Sequence, residues 1–138
     1  LKPSILDTTT LSEILSGHKS VSDRARLYLE EHGNIRISSM TFFETQRGLV
    51  HTPKPKKAQA LIELARTLIV LPTRKEEAEL AGTIHGLLKR QGQPIGEIDP
   101  IIAATAITFD LVLATSNVRH FRRVVDLGFP LQIEDWKA

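Results

Sequence analysis

Residues 96–107, Gly-Glu-Ile-Asp-Pro-Ile-Ile-Ala-Ala-Thr-Ala-Ile, read as a helix that is apolar on every side and is entered through one acid. A helix without a polar face cannot lie on the surface, so this one must be central, with protein all round it. Asp99 then stands at its N-terminal mouth, near the middle of whatever surface opens there. The rest of the sequence is read for what else points at that carboxylate.

Short apolar runs alternate with helical patterns along the chain. Residues 4–6 form a strand that ends in Asp7-Thr8-Thr9-Thr10, followed by a helix carrying Leu11, Ile14 and Leu15 and closed by Gly17. Val21, Ala25, Tyr28 and Leu29 mark the buried stripe of a second helix, stopped by Gly33. A strand at 35–37 leads into a helix with Phe42, Phe43, Gln46 and Leu49, which Pro53 ends. Residues 54–67 make an amphipathic helix around Ala58, Leu61, Ile62 and Ala65, and 68–71 form a continuous apolar strand. Thr73-x-x-Glu76 reads as a capping box opening a long helix through Leu80, Ala81, Ile84, Leu87 and Leu88 to Gly92. After the central helix come a strand at 111–114, a short basic helix at 119–124, and a last apolar pair, Leu131 and Ile133, suited to a final strand.

Strands that are apolar throughout, each followed by a helix, predict a three-layer α/β/α fold with a mostly parallel sheet of four or five strands. At 138 residues, a single domain over 1–138 is expected. In such sheets ligands bind beyond the carboxyl ends of the strands.

Composition narrows the chemistry. There is no cysteine, so neither disulfides nor thiolate metal sites are available, and any metal must be held by oxygen or histidine. The net charge of +2 is too small to indicate a nucleic-acid partner from bulk electrostatics. No apolar run reaches the roughly 20 residues of a membrane span, and no signal peptide is visible. A soluble, cytoplasmic protein with no membrane partner is expected. The sequence opens at Leu1 rather than at methionine, leaving room for a residue or more before it.

The strand tips and the mouth of the central helix hold Asp7, Glu44, Asp99 and Asn117. Each has an ordinary reading. Asp7, Asp99 (followed by Pro100) and Asn117 suit helix caps, and Thr41-x-x-Glu44 suits a capping box. A cap contributes only about 1 kcal/mol. Two unpaired carboxylates about 4 Å apart repel by roughly 4 kcal/mol at an effective dielectric near 20. If the tips converge, capping does not repay that cost, whereas a hard cation such as magnesium or manganese does.

The segments Ile5-Leu6-Asp7-Thr8, Ser39-x-Thr41-x-x-Glu44, Ile95-Gly96-x-x-Asp99-x-x-Ile102-Ala103-Ala104 and Ala114-Thr115-x-Asn117-x-x-x-Phe121 resemble the successive motifs of the PIN-domain nucleases, with the VapC-like toxin branch nearest. The likeness covers essentially the whole chain. It implies a Mg2+- or Mn2+-dependent endoribonuclease acting on RNA and held inactive by a cognate antitoxin, and a homodimer is expected. It also implies that Asp7, Glu44 and Asp99 hold metal, that Asn117 fills a fourth position where some relatives have Asp, and that Thr115 supplies a hydroxyl lining the catalytic site. Two positions depart from the pattern: Thr9 stands where Asn or Ser is common, and His120 where many relatives carry an acid.

Among basic residues, Arg47, Arg119, Arg122 and Arg123 are the expected RNA-binding set. Lys54, Lys56 and Lys57 join them, with a solvated face as the competing reading for each lysine. His18, His32, His51, His85 and His120 show no metal spacing and read as ordinary surface or partly buried residues. Phe42 and Phe43 read as core or partner-groove residues. Leu11, Ile14, Leu15, Phe42, Phe43, Leu49, Leu61 and Ile62 together exceed what one sheet needs, so some of them are expected to stay exposed as a groove for an amphipathic antitoxin helix. The rival reading is a weakly active or inactive PIN-like binding module that acts with an antitoxin on operator DNA. A phosphorylation receiver is disfavoured, because the paired acids and the lysine it needs are missing.

Overall fold

Ile5 and Leu6 leave opposite faces of the same strand, and that alternation divides the core in two. Ile5 joins Ile84, Leu88, Ile102, Leu113 and Phe121 on one side of the sheet. Leu6 joins Leu11, Val21, Tyr28, Ile35 and Trp136 on the other. A computed structural model describes residues 2–138. Along them run β1 (Ser4–Leu6), α1 (Thr8–Leu15), α2 (Lys19–His32), β2 (Ile35–Ser38), α3 (Ser39–His51), α4 (Pro55–Leu64) with a short 3-10 turn after it, β3 (Leu68–Leu71), α5 (Lys75–Arg90), α6 (Asp99–Thr108), β4 (Val112–Ala114), α7 (Val118–Asp126) and β5 (Ile133–Glu134).

The five strands lie in the order β3-β2-β1-β4-β5, and every pairing is parallel. The expected three-layer architecture is therefore the observed one. From β1 the chain builds outward through β2 to β3, then returns to add β4 and β5 on the other side. The carboxyl ends of β1 and β4 are adjacent at this reversal, which is where an open parallel sheet leaves a crevice. Asp7 and Thr115 are the residues that follow those two ends.

Helix α6 fulfils the expectation drawn from its sequence. No residue in it is exposed, and Ile102 through Ala106 are buried. It packs most extensively against α5, whose Ala81, Ile84 and Leu88 are buried against it. The alanines at 103, 104 and 106 let the backbones approach closely where larger side chains would hold them apart.

Two local expectations are corrected. Strand β3 is not covered on both faces: it lies at the sheet edge, and Ile69 and Val70 are exposed. An apolar run of strand length suits a buried strand and an edge strand equally, so periodicity could not separate them. The cap of α5 also sits one residue further on than Thr73-x-x-Glu76 suggests. The Thr73 hydroxyl lies 3.0 Å from the Ser39 hydroxyl, and the N-cap is Arg74, whose N–H donates to Glu77 Oε1 at 2.8 Å.

Glu77 has no exposed surface, and its carboxylate is closed by donors on both sides. The Arg74 guanidinium donates to both oxygens, at 2.9 and 2.7 Å, and Thr108 from the end of α6 donates to Oε2 at 2.6 Å. The Arg74 hydrogen bond, above all, holds the Glu77 carboxyl down at about 2. This charged clamp ties the start of α5 to the end of α6, the helix that carries Asp99 at its other end. A carboxyl depressed in the folded state adds stability above its unfolded value of 4.5, and that stability is lost as pH falls toward about 2. Glu77→Gln is expected to cost on the order of 1–3 kcal/mol at pH 7, less if exposed Arg74 is largely screened. Urea denaturation should show the gap closing as acid protonates the parent; a gap independent of pH would mean the glutamate acts by packing alone.

Candidate active site

Asp7 is the first residue after β1 and is almost fully buried. Its carboxylate is used at both oxygens. Oδ1 accepts the Thr8 N–H at 2.6 Å, capping α1, while Oδ2 accepts the Thr115 hydroxyl at 2.7 Å and the Thr9 hydroxyl at 3.0 Å. Those hydroxyls are themselves fixed, since Thr115 Oγ1 accepts the Asn117 N–H and Thr9 Oγ1 accepts the Ser116 N–H. The capping reading of Asp7 is thus correct for one oxygen. The other oxygen joins β1 to the loop after β4.

Glu44 reaches the same place from α3. The cap of that helix is Ser38, whose hydroxyl accepts the Thr41 N–H at 3.0 Å, so the box expected from Thr41-x-x-Glu44 is not formed. Freed from the helix end, Glu44 Oε1 accepts the Thr8 hydroxyl at 2.6 Å. Thr8 therefore bridges Asp7 and Glu44, giving its N–H to one and its hydroxyl to the other.

Asp99 opens α6 but makes no capping bond; the N-cap is Ile98. Its Oδ2 instead lies 3.0 Å from His120 Nδ1, and the same nitrogen lies 3.0 Å from Asn117 Nδ2. Asn117 precedes α7 and likewise makes no side-chain cap. Burial first, then the negative charges of Asp7 and Glu44, push the Asp99 carboxyl up to about 7. Asp99 thus lies near enough to feel both other acids, which Thr8 joins to each other. Burial and the charge of Arg123 lower the basicity of His120, against an opposing pull from Asp7.

The structure thus brings Asp7, Glu44, Asp99, Thr115 and Asn117 to one edge of the sheet and adds two residues. Thr9 belongs to the cage around Asp7. His120, read from sequence as an ordinary histidine, is a member of the site. The available signal was its position three residues after Asn117 on one helical turn, which places both side chains on the same face.

Among the described residues, no three acids or histidines stand close enough together to form a closed metal cluster. Each carboxylate is turned to a donor of its own. The donor set still fits a hard divalent cation, being carboxylate and amide oxygens without sulfur. The raised Asp99 carboxyl marks negative charge that a cation would neutralise.

The basic residues separate into groups. Arg119 and Arg122 are exposed on α7. Arg47 lies 3.8 Å from Glu44 Oε2 and over the Phe43 ring. Arg123 donates to the Pro94 carbonyl at 3.1 Å and so braces the loop before α6. Some of the apolar helix residues stay exposed, as expected. Leu11, Leu15 and Leu61 are buried, leaving Phe42, Phe43, Val50 and Ile62 as exposed apolar side chains on α3 and α4.

The family model for the PIN domain matches residues 4–127. The chain belongs to the PIN-domain family. It is 35% identical over 120 residues to the tRNA(fMet)-specific endonuclease VapC of Shigella flexneri, covering 86% of this chain and 87% of that one. It is 36% identical over 106 residues to ribonuclease VapC2 of Haemophilus influenzae, covering 75% and 76%. Among solved structures it resembles the DNA-bound VapBC of Salmonella typhimurium, with a TM-score of 0.80 and 30% identity over 99% of both chains. It also resembles VapBC-1 of nontypeable Haemophilus influenzae, with a TM-score of 0.79 and 28% identity over 98% of both. The VapC-like PIN nuclease fold expected from four short motifs is therefore the one present.

The raised Asp99 carboxyl carries a signed consequence for the metal-free PIN domain. A carboxyl whose folded value lies above its unfolded one helps stability below about 3.8, and that help is lost as pH rises through about 7. Asp99→Asn removes the titration. In chelator, its advantage over the parent should grow from pH 4 to 7 and then level off at no more than about 4 kcal/mol. Thermal melts across that range test it, and an unchanged or lowered melting temperature at pH 8 would mean that Asp99 is not under charge strain.

Proposed function

We propose that this chain is a VapC-like endoribonuclease toxin that hydrolyses RNA phosphodiester bonds and is neutralised by a cognate antitoxin. It is proposed to act as one domain over residues 1–138, as a homodimer, in the cytoplasm. The observation that carries the reading is the convergence of Asp7, Glu44 and Asp99, with Asn117 beside them, at the chain reversal of a PIN-domain sheet. VapC nucleases of this family are divalent-metal dependent in general. Mg2+, or Mn2+ in its place, is the cation proposed here, on the all-oxygen donor set.

Asp7, Glu44 and Asp99 would hold the cation, with the Asn117 amide as a neutral fourth donor. When bound, it would supply positive charge at the scissile phosphate and lower the pKa of the attacking water. The chain's own residues then have separate tasks. Thr115 and Thr9 hold one Asp7 oxygen by donating to it, so its carboxylate presents a fixed direction. Thr8 fixes Glu44 relative to Asp7. His120 Nδ1 lies within reach of both Asp99 Oδ2 and Asn117 Nδ2, and as an N–H it would donate to the Asp99 carboxylate and so orient that acid. Arg119 and Arg122, exposed on the helix that follows Asn117, would meet phosphates of the RNA strand.

Among the described residues no helix is long and apolar enough to cross a membrane. The antitoxin is proposed to cover exposed apolar side chains such as Phe42, Phe43 and Val50 on α3. A basic side chain sent from it toward the acids would relieve the same repulsion as the metal, so the two should compete.

Asp7→Ala should abolish Mg2+-dependent cleavage of single-stranded RNA, a loss of at least about a hundredfold. Thr115→Val should lower kcat with a smaller effect on KM, since it removes an orienting hydroxyl. Both are read on a labelled oligonucleotide. Cleavage that persists in chelator or survives Asp7→Ala would overturn the proposal in favour of a binding module. Antitoxin affinity measured at constant ionic strength should fall as Mg2+ rises, and indifference to Mg2+ would mean that inhibition works by blocking RNA access alone.

A further inference from the structure

Beside the acidic centre is a pocket of about 310 Å³ between α1, α3 and the start of α4. One end is formed by Thr8 and Glu44, which belong to the centre. The other end is formed by Lys54 and Lys57, with Gly48, Leu49 and Leu15 between. We propose that this pocket seats the nucleotide next to the scissile bond of a bound RNA strand, with Lys54 and Lys57 holding its phosphate. The inference rests on the ribonuclease reading and adds a substrate subsite to it.

Several observations single out these two lysines from the other basic residues. Lys57 is half-buried and donates to Ser12 Oγ at 2.7 Å, so its ammonium is anchored before any ligand arrives. Burial, and then the charge of nearby Lys54, lower its basicity. Among the described residues neither forms an ion pair with a carboxylate. Two like charges gathered in a concave site without a counter-ion are arranged to attract an anion, as the acids at the other end are arranged to attract a cation. A polyanionic strand laid across both ends satisfies each of them. The volume falls at the lower end of the range for small-ligand pockets, of the order of one nucleotide. Lys56, between the two, lines none of this pocket and is solvated.

Lys57 and Lys54 are positioning residues in this scheme, remote from the reacting atoms. Lys57→Gln should raise KM for a single-stranded RNA about five- to tenfold with kcat nearly unchanged, the pattern of a lost uniform binding contact. In an Asp99→Asn background, where binding is read without cleavage, the same change should reduce the slope of log affinity against log salt by about 0.7. Lys57→Arg should restore both. Lys89→Gln, an equal charge loss at the far end of α5, should do neither. Gly48→Leu is a second probe that leaves the lysines intact. A Cβ at Gly48 meets nothing within 4 Å, so the substitution should keep or raise the melting temperature while its side chain fills the pocket and weakens RNA binding.

Equal effects of Lys57→Gln and Lys89→Gln on KM and salt slope would overturn the subsite. So would a Lys57→Gln variant that binds RNA normally but loses antitoxin affinity, which would assign the pocket to the partner protein. Absence of RNA cleavage by the parent chain is a different result: it removes the ribonuclease reading, while the binding comparison in the Asp99→Asn background still decides whether the pocket takes an RNA phosphate.

Discussion

The Asp7 carboxylate is the contact through which the separate parts of this molecule are joined. It lies between the two central strands at the point where the chain reverses direction across the sheet. An ionised carboxylate with almost no exposed surface is costly unless its lone pairs are met, and here they are met by one N–H and two hydroxyls. Those donors come from α1 and from the loop after β4. Satisfying the buried charge therefore fixes the entry of α1, the end of β4 and the path toward α7 together. Thr8, already placed by the cap, carries the order onward to Glu44.

Asp99 is held by a different balance. Helix α6 is buried along its length, so its first residue is delivered into the site by packing, with no capping bond to favour the charged form. The burial of Pro100, Ile102, Ala103, Ala104 and Ala106 together offsets the cost of placing that acid there, the fully buried Ile102 alone being worth roughly 2–3 kcal/mol. The site can thus hold an acid that would prefer its proton. The Glu77 clamp works at the other end of the same helix, where a charge is stabilised by its partners and the carboxyl moves the opposite way. One helix therefore joins a carboxylate held firmly charged to one poised near neutrality.

The sequence showed the layered fold because its strands are continuous apolar runs and its helices carry a 3.6-residue stripe. Neither signal says which strand is an edge, and so β3 was read as buried. Helix starts were harder. Ser38, Thr41, Thr73 and Arg74 all lie within a few residues of a helix entrance, and which of them caps is decided by contacts across the fold, such as the Ser39 and Thr73 hydroxyl pair. Asp7, Glu44, Asp99 and Asn117 each had an ordinary reading in the sequence, and became legible as a set, with Thr115, only through four motifs that stand in the order of the PIN-domain nucleases. His120 was legible only through that resemblance, at a position where many relatives carry an acid, because a histidine on a basic surface helix is common. Only the approach of α6 to α7 gives it Asp99 as a neighbour.

Asn117 and His120 bring no negative charge of their own to the centre. Two more carboxylates at these positions would add to the repulsion that already raises Asp99, and the metal-free fold would have to bear it. A neutral amide and an imidazole of lowered basicity supply dipoles and hydrogen bonds without that charge. The cost falls on cation binding, since a hard divalent ion gains most from full negative charges. A centre with three acids and an amide therefore has less to offer the cation on its own. In the nuclease proposed here, more of the assembly would then depend on the substrate, whose phosphate would bring negative charge of its own to the cation. The basic residues beside the centre would help by bringing that phosphate within reach.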